Sequence, residues 1–127
     1  MTAGTWALWN VGLAGLLGAA GVALAAVGAH RVGDPSLTTA ALFLILHAGA
    51  VVALSAFAGT APWPALLLAS ASLMVFAVAL FSGDVTARVL LSDRLFPFAA
   101  PTGGSLLIAA WLLAGVTAIV GALKGGS

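Results

Sequence analysis

Cysteine is absent from the chain of 127 residues, and charged side chains are scarce. Without thiols there are no disulfides, thiolate metal sites, cysteine nucleophiles or dithiol redox reactions. Asp, Glu, Lys and Arg make up 6% of the residues, whereas a soluble domain carries about a quarter. Four basic and three acidic side chains are also too few for a nucleic-acid-binding surface. The composition therefore excludes a soluble domain and a nucleic-acid partner.

Hydrophobic residues, in contrast, make up 63% of the chain and fall into four long runs. The runs cover approximately residues 6–29, 37–58, 65–82 and 105–123. Each is close to the ~20 residues that a helix needs to cross a bilayer. We therefore predict an all-α integral membrane protein, a single-domain four-helix bundle with short loops and a longer third connection.

The third connection, residues 83–104, keeps a helical pattern in its first half. Asp84 and Arg88 are spaced i,i+4 and lie among regularly spaced apolar residues. Helix three is therefore predicted to continue to about residue 91. The segment TGGS at 102–105 is predicted to open helix four, and its free backbone N–H groups are a candidate anion site, although glycine pairs are frequent at helix starts.

The basic side chains indicate the orientation of the spans. Three arginines lie in or beside the connections 30–36 and 83–104, whereas Lys124 is the one basic side chain on the side of the termini. By the positive-inside rule, both arginine-bearing loops are expected in the cytoplasm and both termini outside. The expected location is the inner membrane of the cell.

His47 is the one ionisable side chain in the apolar run LFLILHAGAVV. It lies about 12 residues into helix two, or ~18 Å along it, which is near the bilayer midplane and predicts that it faces inward. The functional interpretations are a proton relay, a metal ligand or an axial haem ligand. The structural interpretation, which we favour, is a neutral imidazole bonded to Ser70, Ser72 or Thr117 on a neighbouring helix.

Three further ionisable side chains are candidate functional residues. His30 ends helix one, where a cation that bonds the last carbonyls is the favoured interpretation. Asp84 and Arg88 are expected to form an ion pair at the membrane boundary, with a polar entrance as the alternative. A zinc or copper site needs three or four ligands, and no catalytic motif is present. We therefore expect no metal, no cofactor and no enzymatic activity.

Helix one carries two ridges of small residues. The first ridge has a 4-3-4-3 spacing and consists of Ala14, Gly18, Gly21, Ala25 and Gly28. The second ridge lies about 100° round the helix and consists of Gly15, Ala19, Ala23 and Ala26. Because spans associate in lipid through small residues, the ridges predict that helix one packs against two neighbours and forms the axis of the bundle.

Four segments occur in an order typical of one family. They are AAVGAH at 25–30, LHAG at 46–49, LFSGD at 80–84 and APTGGSLLIAAW at 100–111. Together they resemble the small four-span proteins of domain-of-unknown-function family 423, which includes YgdD-like proteins and transmembrane protein 256. His30 and His47 fall on two histidines of the family pattern, whereas Leu46 stands where the family has tyrosine. The resemblance implies a four-helix membrane bundle and brings no established activity.

The leading hypothesis is a non-catalytic membrane protein that packs against other membrane helices, either as an accessory subunit of a larger complex or as a homo-oligomer. The expected partners are the lipid bilayer and the helices of membrane proteins. Two alternatives stay open at this point. One is a small transporter or channel with His47 on a polar path, and the other is haem binding by His47.

Overall fold

The computed structural model describes residues 1–30 and 33–125, and these residues form four helices and no strand. The helices are α1 (Ala3–His30), α2 (Pro35–Ala58), α3 (Pro64–Leu90) and α4 (Ala99–Gly125). All four are long and apolar enough to cross a membrane. The prediction of an all-α, four-helix membrane bundle is confirmed.

Prolines mark the starts of α2 and α3. Asp34 precedes α2 in an extended conformation, and its carboxylate accepts a hydrogen bond of 2.8 Å from the Ser36 backbone N–H. Pro35 and Pro64 each occupy the first helical turn, where a missing N–H removes no helical hydrogen bond. These local features determine where α2 and α3 begin.

The third connection is shorter than predicted. Helix α3 runs on to Leu90, as the sequence pattern indicates, but α4 begins at Ala99 rather than near residue 105. The chain reverses at Phe98, which has a positive φ of 64°. Pro101 is tolerated because it lies in the first turn of α4, and TGGS at 102–105 is therefore helical rather than a flexible opening.

Helix α3, rather than α1, is the axis of the bundle. It packs against all three other helices, whereas α1 packs mainly on α2 and less extensively on α3. Of the most apolar 18 residues in each span, 44% are buried in α3 but only 17% in α1. The expectation that helix one is central is wrong because only one of its two small ridges meets a neighbour.

The first ridge of α1 packs against α2. A Cβ atom added at Gly21 would lie 2.8 Å from Ile45 Cγ1 and 2.9 Å from Leu44 Cβ, so only glycine allows this approach. Ala14 is buried, and Gly18 and Gly28 are half-buried. Ala25 is exposed, so the ridge is interrupted there.

The second ridge of α1 has no covering helix in the chain. Its four residues are all exposed: Gly15, Ala19, Ala23 and Ala26. A Cβ atom added at Gly15 would meet no atom within 4 Å among the described residues. The second neighbour of helix one within the chain is α3, which packs on α1 elsewhere and leaves this ridge uncovered.

Candidate functional site

His47 is buried between α2 and α4 with only 3% of its surface exposed. Its Nδ1 lies 2.8 Å from the carbonyl oxygen of Phe43, one turn earlier in α2. On the other side of the ring, Trp111 Nε1–H donates a hydrogen bond of 3.1 Å to His47 Nε2. An indole N–H can only donate, so Nε2 must accept and the ring proton must lie on Nδ1. The hydrogen-bond pattern therefore assigns a neutral imidazole in a single tautomer.

The partner of His47 differs from the ones that the sequence indicates. The hydroxyl of Ser70 instead donates to the Ala110 carbonyl at 2.6 Å, and that of Ser72 donates to Asn10 at 2.8 Å. Trp111 is the residue from which this partner could have been predicted. It lies in the middle of a span, and its indole N–H needs an acceptor when it leaves water. Sequence alone does not show that Trp111 lies opposite His47.

Aromatic rings surround the His47 imidazole. Phe43 and Phe81 stack with their ring centroids 4.7 Å apart, and the Trp111 ring meets the imidazole edge-on at 6.0 Å. A cavity of about 410 Å³ is lined by these rings together with Leu107 and Ile108 of α4. Its polar groups are already bonded within the protein, because both nitrogens of His47 are in use. An iron or other metal at Nε2 would have to displace Trp111 first.

Metal binding has no further support elsewhere in the described part of the chain. Residues 1–30 and 33–125 contain no group of three or more His, Cys, Asp or Glu side chains that could hold an ion. His30 is exposed at the end of α1, whereas His47 is buried halfway along α2. The structure therefore does not bring the two histidines together.

Asp84 fastens the third connection to the bundle. Only 1% of this residue is exposed. One carboxylate oxygen accepts from the Leu95 backbone N–H at 3.0 Å, and the other accepts from the Ala100 N–H at 3.2 Å. Arg88 Nε lies 3.5 Å from the second oxygen, so the expected ion pair is present as a longer third contact. Asp84 thus acts as the N-terminal cap of α4, although it belongs to α3.

This arrangement leaves no anion site in the first turn of α4. The Ala99 N–H donates to the Phe96 carbonyl, and the Thr102 N–H donates to the Phe98 carbonyl. Pro101 has no N–H, and that of Ala100 is bonded to Asp84. The hypothesis that TGGS holds an anion is corrected, because the free donors it requires are already occupied.

A polar cluster between α1 and α3 was not found from the sequence. Asn10 is 2% exposed, and its amide donates to the Leu68 carbonyl at 3.2 Å. Ser72 donates to the Asn10 side-chain oxygen at 2.8 Å, and Trp6 Nε1–H donates to Ser72 at 2.8 Å. Asn10 is the only Asn or Gln in the chain, and its position within an apolar run could have indicated a buried polar contact. Such interhelical bonds hold spans together in lipid.

Comparison with known families gives one result. Residues 24–104, more than half of the chain, match a family described as protein of unknown function, DUF423. The match includes His30, His47, Asp84 and Arg88, whereas Asn10 and Trp111 lie outside it. The comparisons with curated proteins and with solved structures returned no match. This chain, a multi-pass membrane protein of four helices, therefore belongs to the DUF423 family.

Proposed function

We propose that this protein is a non-catalytic membrane protein that packs against other membrane helices, as an accessory subunit of a larger complex or as a homo-oligomer. The observation that carries the proposal is the second ridge of α1, which is exposed along its whole length. The first ridge, built from the same residue types, is the surface through which α1 approaches α2. A surface with the same chemistry on the same helix is therefore suited to a second helix.

The physical reason is that lipid offers no hydrophobic force between spans. Apolar side chains are solvated by lipid tails, so spans associate where small residues let their backbones come close. Gly15, Ala19 and Ala23 are spaced four residues apart, which puts them in one row along α1. Helix α1 also has the largest share of its span outside the bundle.

The test is to add bulk to the second ridge without touching the α1–α2 contact. The variant is Gly15→Leu with Ala19→Leu, and the matched control is Gly115→Leu on α4, where an added Cβ also meets no described atom within 4 Å. Each protein is purified in mild detergent from its native membrane and examined by native mass spectrometry. We expect the wild type and the control to retain a partner or oligomer that the variant loses. Recovery of the wild type as a lone monomer would contradict the proposal.

The proposed location is the inner membrane, with both arginine-bearing connections in the cytoplasm. The basic side chains support this orientation: Arg88 and Arg94 lie at one end of the bundle, while Lys124 at the other end is placed 5.2 Å from the Trp63 ring centroid. Arg31 lies outside the described residues. Because the chain has no native thiol, Gly33→Cys and Thr60→Cys each give one site for an impermeant maleimide. We expect Thr60→Cys to be labelled in intact cells and Gly33→Cys to be protected. The opposite pattern would contradict the proposed orientation.

The transporter hypothesis stays a prediction and has no specific observation in its favour. A polar path requires groups that are free to exchange bonds with a solute. His47 has both nitrogens bonded and lies among Phe43, Phe81 and Trp111. Flux through proteoliposomes, compared between the wild type and His47→Ala, is the measurement that decides it.

A further inference from the structure

Two adjoining cavities form one groove along α4. They have volumes of about 510 Å³ and 410 Å³, and both are lined by Phe81, Gly104 and Ile108. We call the combined space the α4 groove. Its first end is lined by Arg88 and Arg94, and its second end lies beside Trp111 in the middle of α4.

The first end of the α4 groove offers hydrogen-bond donors and a positive charge. Asp84 also lines it, but both oxygens of this carboxylate already accept backbone N–H groups, and Arg88 Nε approaches one of them. The side chain of Arg88 is still 41% exposed, which leaves its terminal nitrogens accessible. The guanidinium of Arg94 is bonded to no described residue. Among the side chains that line this end of the groove there are two arginines and one carboxylate, which leaves one positive charge for an anion.

The rest of the α4 groove is apolar and has the length of one membrane leaflet. From Ala100 to Trp111 the helix rises ~17 Å, about half of the ~30 Å hydrocarbon core of a bilayer. Phe81 and Ile108 line this part, and the His47 nitrogens beside it are bonded to the protein. A charged head at the membrane surface and an apolar tail reaching the midplane are the features of a lipid in one leaflet.

We propose that the α4 groove binds one anionic phospholipid, with its phosphate at Arg88 and Arg94 and one acyl chain along Gly104 and Ile108. Positive charge at the first end matches a negatively charged headgroup, and the apolar length accounts for a chain that a free phosphate lacks. Gly104 lines both cavities and has no side chain to occupy them, which leaves room for the acyl chain. The site is on α4 and is independent of the second ridge on α1.

The test is native mass spectrometry of the full-length protein in detergent with added phosphatidylglycerol or phosphatidylcholine. We expect one bound phosphatidylglycerol and preference for it over phosphatidylcholine. Arg94→Gln should weaken this binding about fivefold, the factor that corresponds to ~1 kcal/mol for one basic residue at an anionic membrane surface. Gly104→Leu should weaken it by filling the groove while keeping every charge. The matched control is Lys124→Gln, which removes one positive charge at the opposite end of the bundle.

The outcomes separate the alternatives. Weaker binding in Arg94→Gln and Gly104→Leu, with binding unchanged in Lys124→Gln, supports the proposal. Equal binding of the two phospholipids, or equal loss in all three variants, overturns it. Displacement of phosphatidylglycerol by inorganic phosphate at the same concentration also overturns it, because the apolar groove would then contribute nothing. Arg94 is an exposed loop residue, so its variant keeps the test informative if Gly104→Leu does not fold.

Discussion

At the residue scale, His47 is a structural connection between α2 and α4. Its Nε2 is the acceptor for the Trp111 indole, and its Nδ1–H is used within α2. The two residues are 64 positions apart in the chain, so their bond closes a long loop of sequence. Because the Trp111 indole N–H can only donate, His47 Nε2 has to be the acceptor in this bond.

The variant Trp111→Phe removes the indole donor and keeps an aromatic ring at the site. We expect a loss of about 1 kcal/mol in the free energy of unfolding, because His47 Nε2 is left without its partner. The measurement is unfolding by SDS titration in mixed micelles. Trp9→Phe is the matched control, since Trp9 is 64% exposed. An equal effect of both substitutions would show that the hydrogen bond contributes nothing.

Asp84 is the second residue whose role depends on its bonds. In Asp84→Asn one of the two acceptor oxygens becomes an NH₂ group, which faces a backbone N–H or Arg88. We expect a loss of about 1–3 kcal/mol in the free energy of unfolding, the range for a buried group left unsatisfied. SDS titration measures it against Asp93→Asn, a control in the exposed loop. No difference between the two variants would contradict the capping role.

At the element scale, glycines set how closely the helices approach. At Gly103 of α4 an added Cβ would lie 2.7 Å from the Phe81 N and 2.8 Å from the Ala77 carbonyl oxygen. These are backbone atoms of α3, so they cannot move away as a flexible side chain does. The close approach of α3 and α4 at this point therefore requires a glycine.

The variant Gly103→Ala is expected to lower the free energy of unfolding by about 1–3 kcal/mol, the usual effect of overpacking. Gly104→Ala is the control next to it, because its added Cβ makes an ordinary contact of 3.8 Å with the Phe81 ring. Thermal unfolding in detergent compares the two variants. Equal melting temperatures would mean that α4 can shift without cost and that the close approach is not required.

At the scale of the whole molecule, α1 is the outer helix with two different faces. Its first ridge holds it to α2, and its second ridge is free for another helix. We expect the two ridges to give separable effects, since the first contributes to the fold of the chain and the second is the surface proposed for assembly.

We expect Gly21→Leu to lower the melting temperature of the protein, because its side chain would collide with Leu44 and Ile45. Gly15→Leu should leave the melting temperature of the monomer unchanged, since its side chain enters open space. Differential scanning fluorimetry under monomeric conditions measures both. A fall of the same size in both variants would show that the two faces of α1 are not distinct.

Much of the fold could be predicted from sequence because hydropathy and helix caps are local. Residues within a few positions of each other are enough to predict the four spans and the extension of α3 to Leu90. They also account for the start of α2 at Asp34 and Pro35. The start of α4 was misplaced because the Asp84 carboxylate that caps it lies on another helix.

A membrane protein of four helices, with His47 halfway along the second, can be predicted from local sequence because the length and polarity of each apolar run decide these properties. Three features emerge only from the packed bundle: α3 is its axis, Trp111 is the partner of His47, and the second ridge is exposed. The reason is that these features depend on how each helix is rotated about its own axis. Which face of a span meets which neighbour depends on all four helices packing at once, and no local stretch of sequence specifies it.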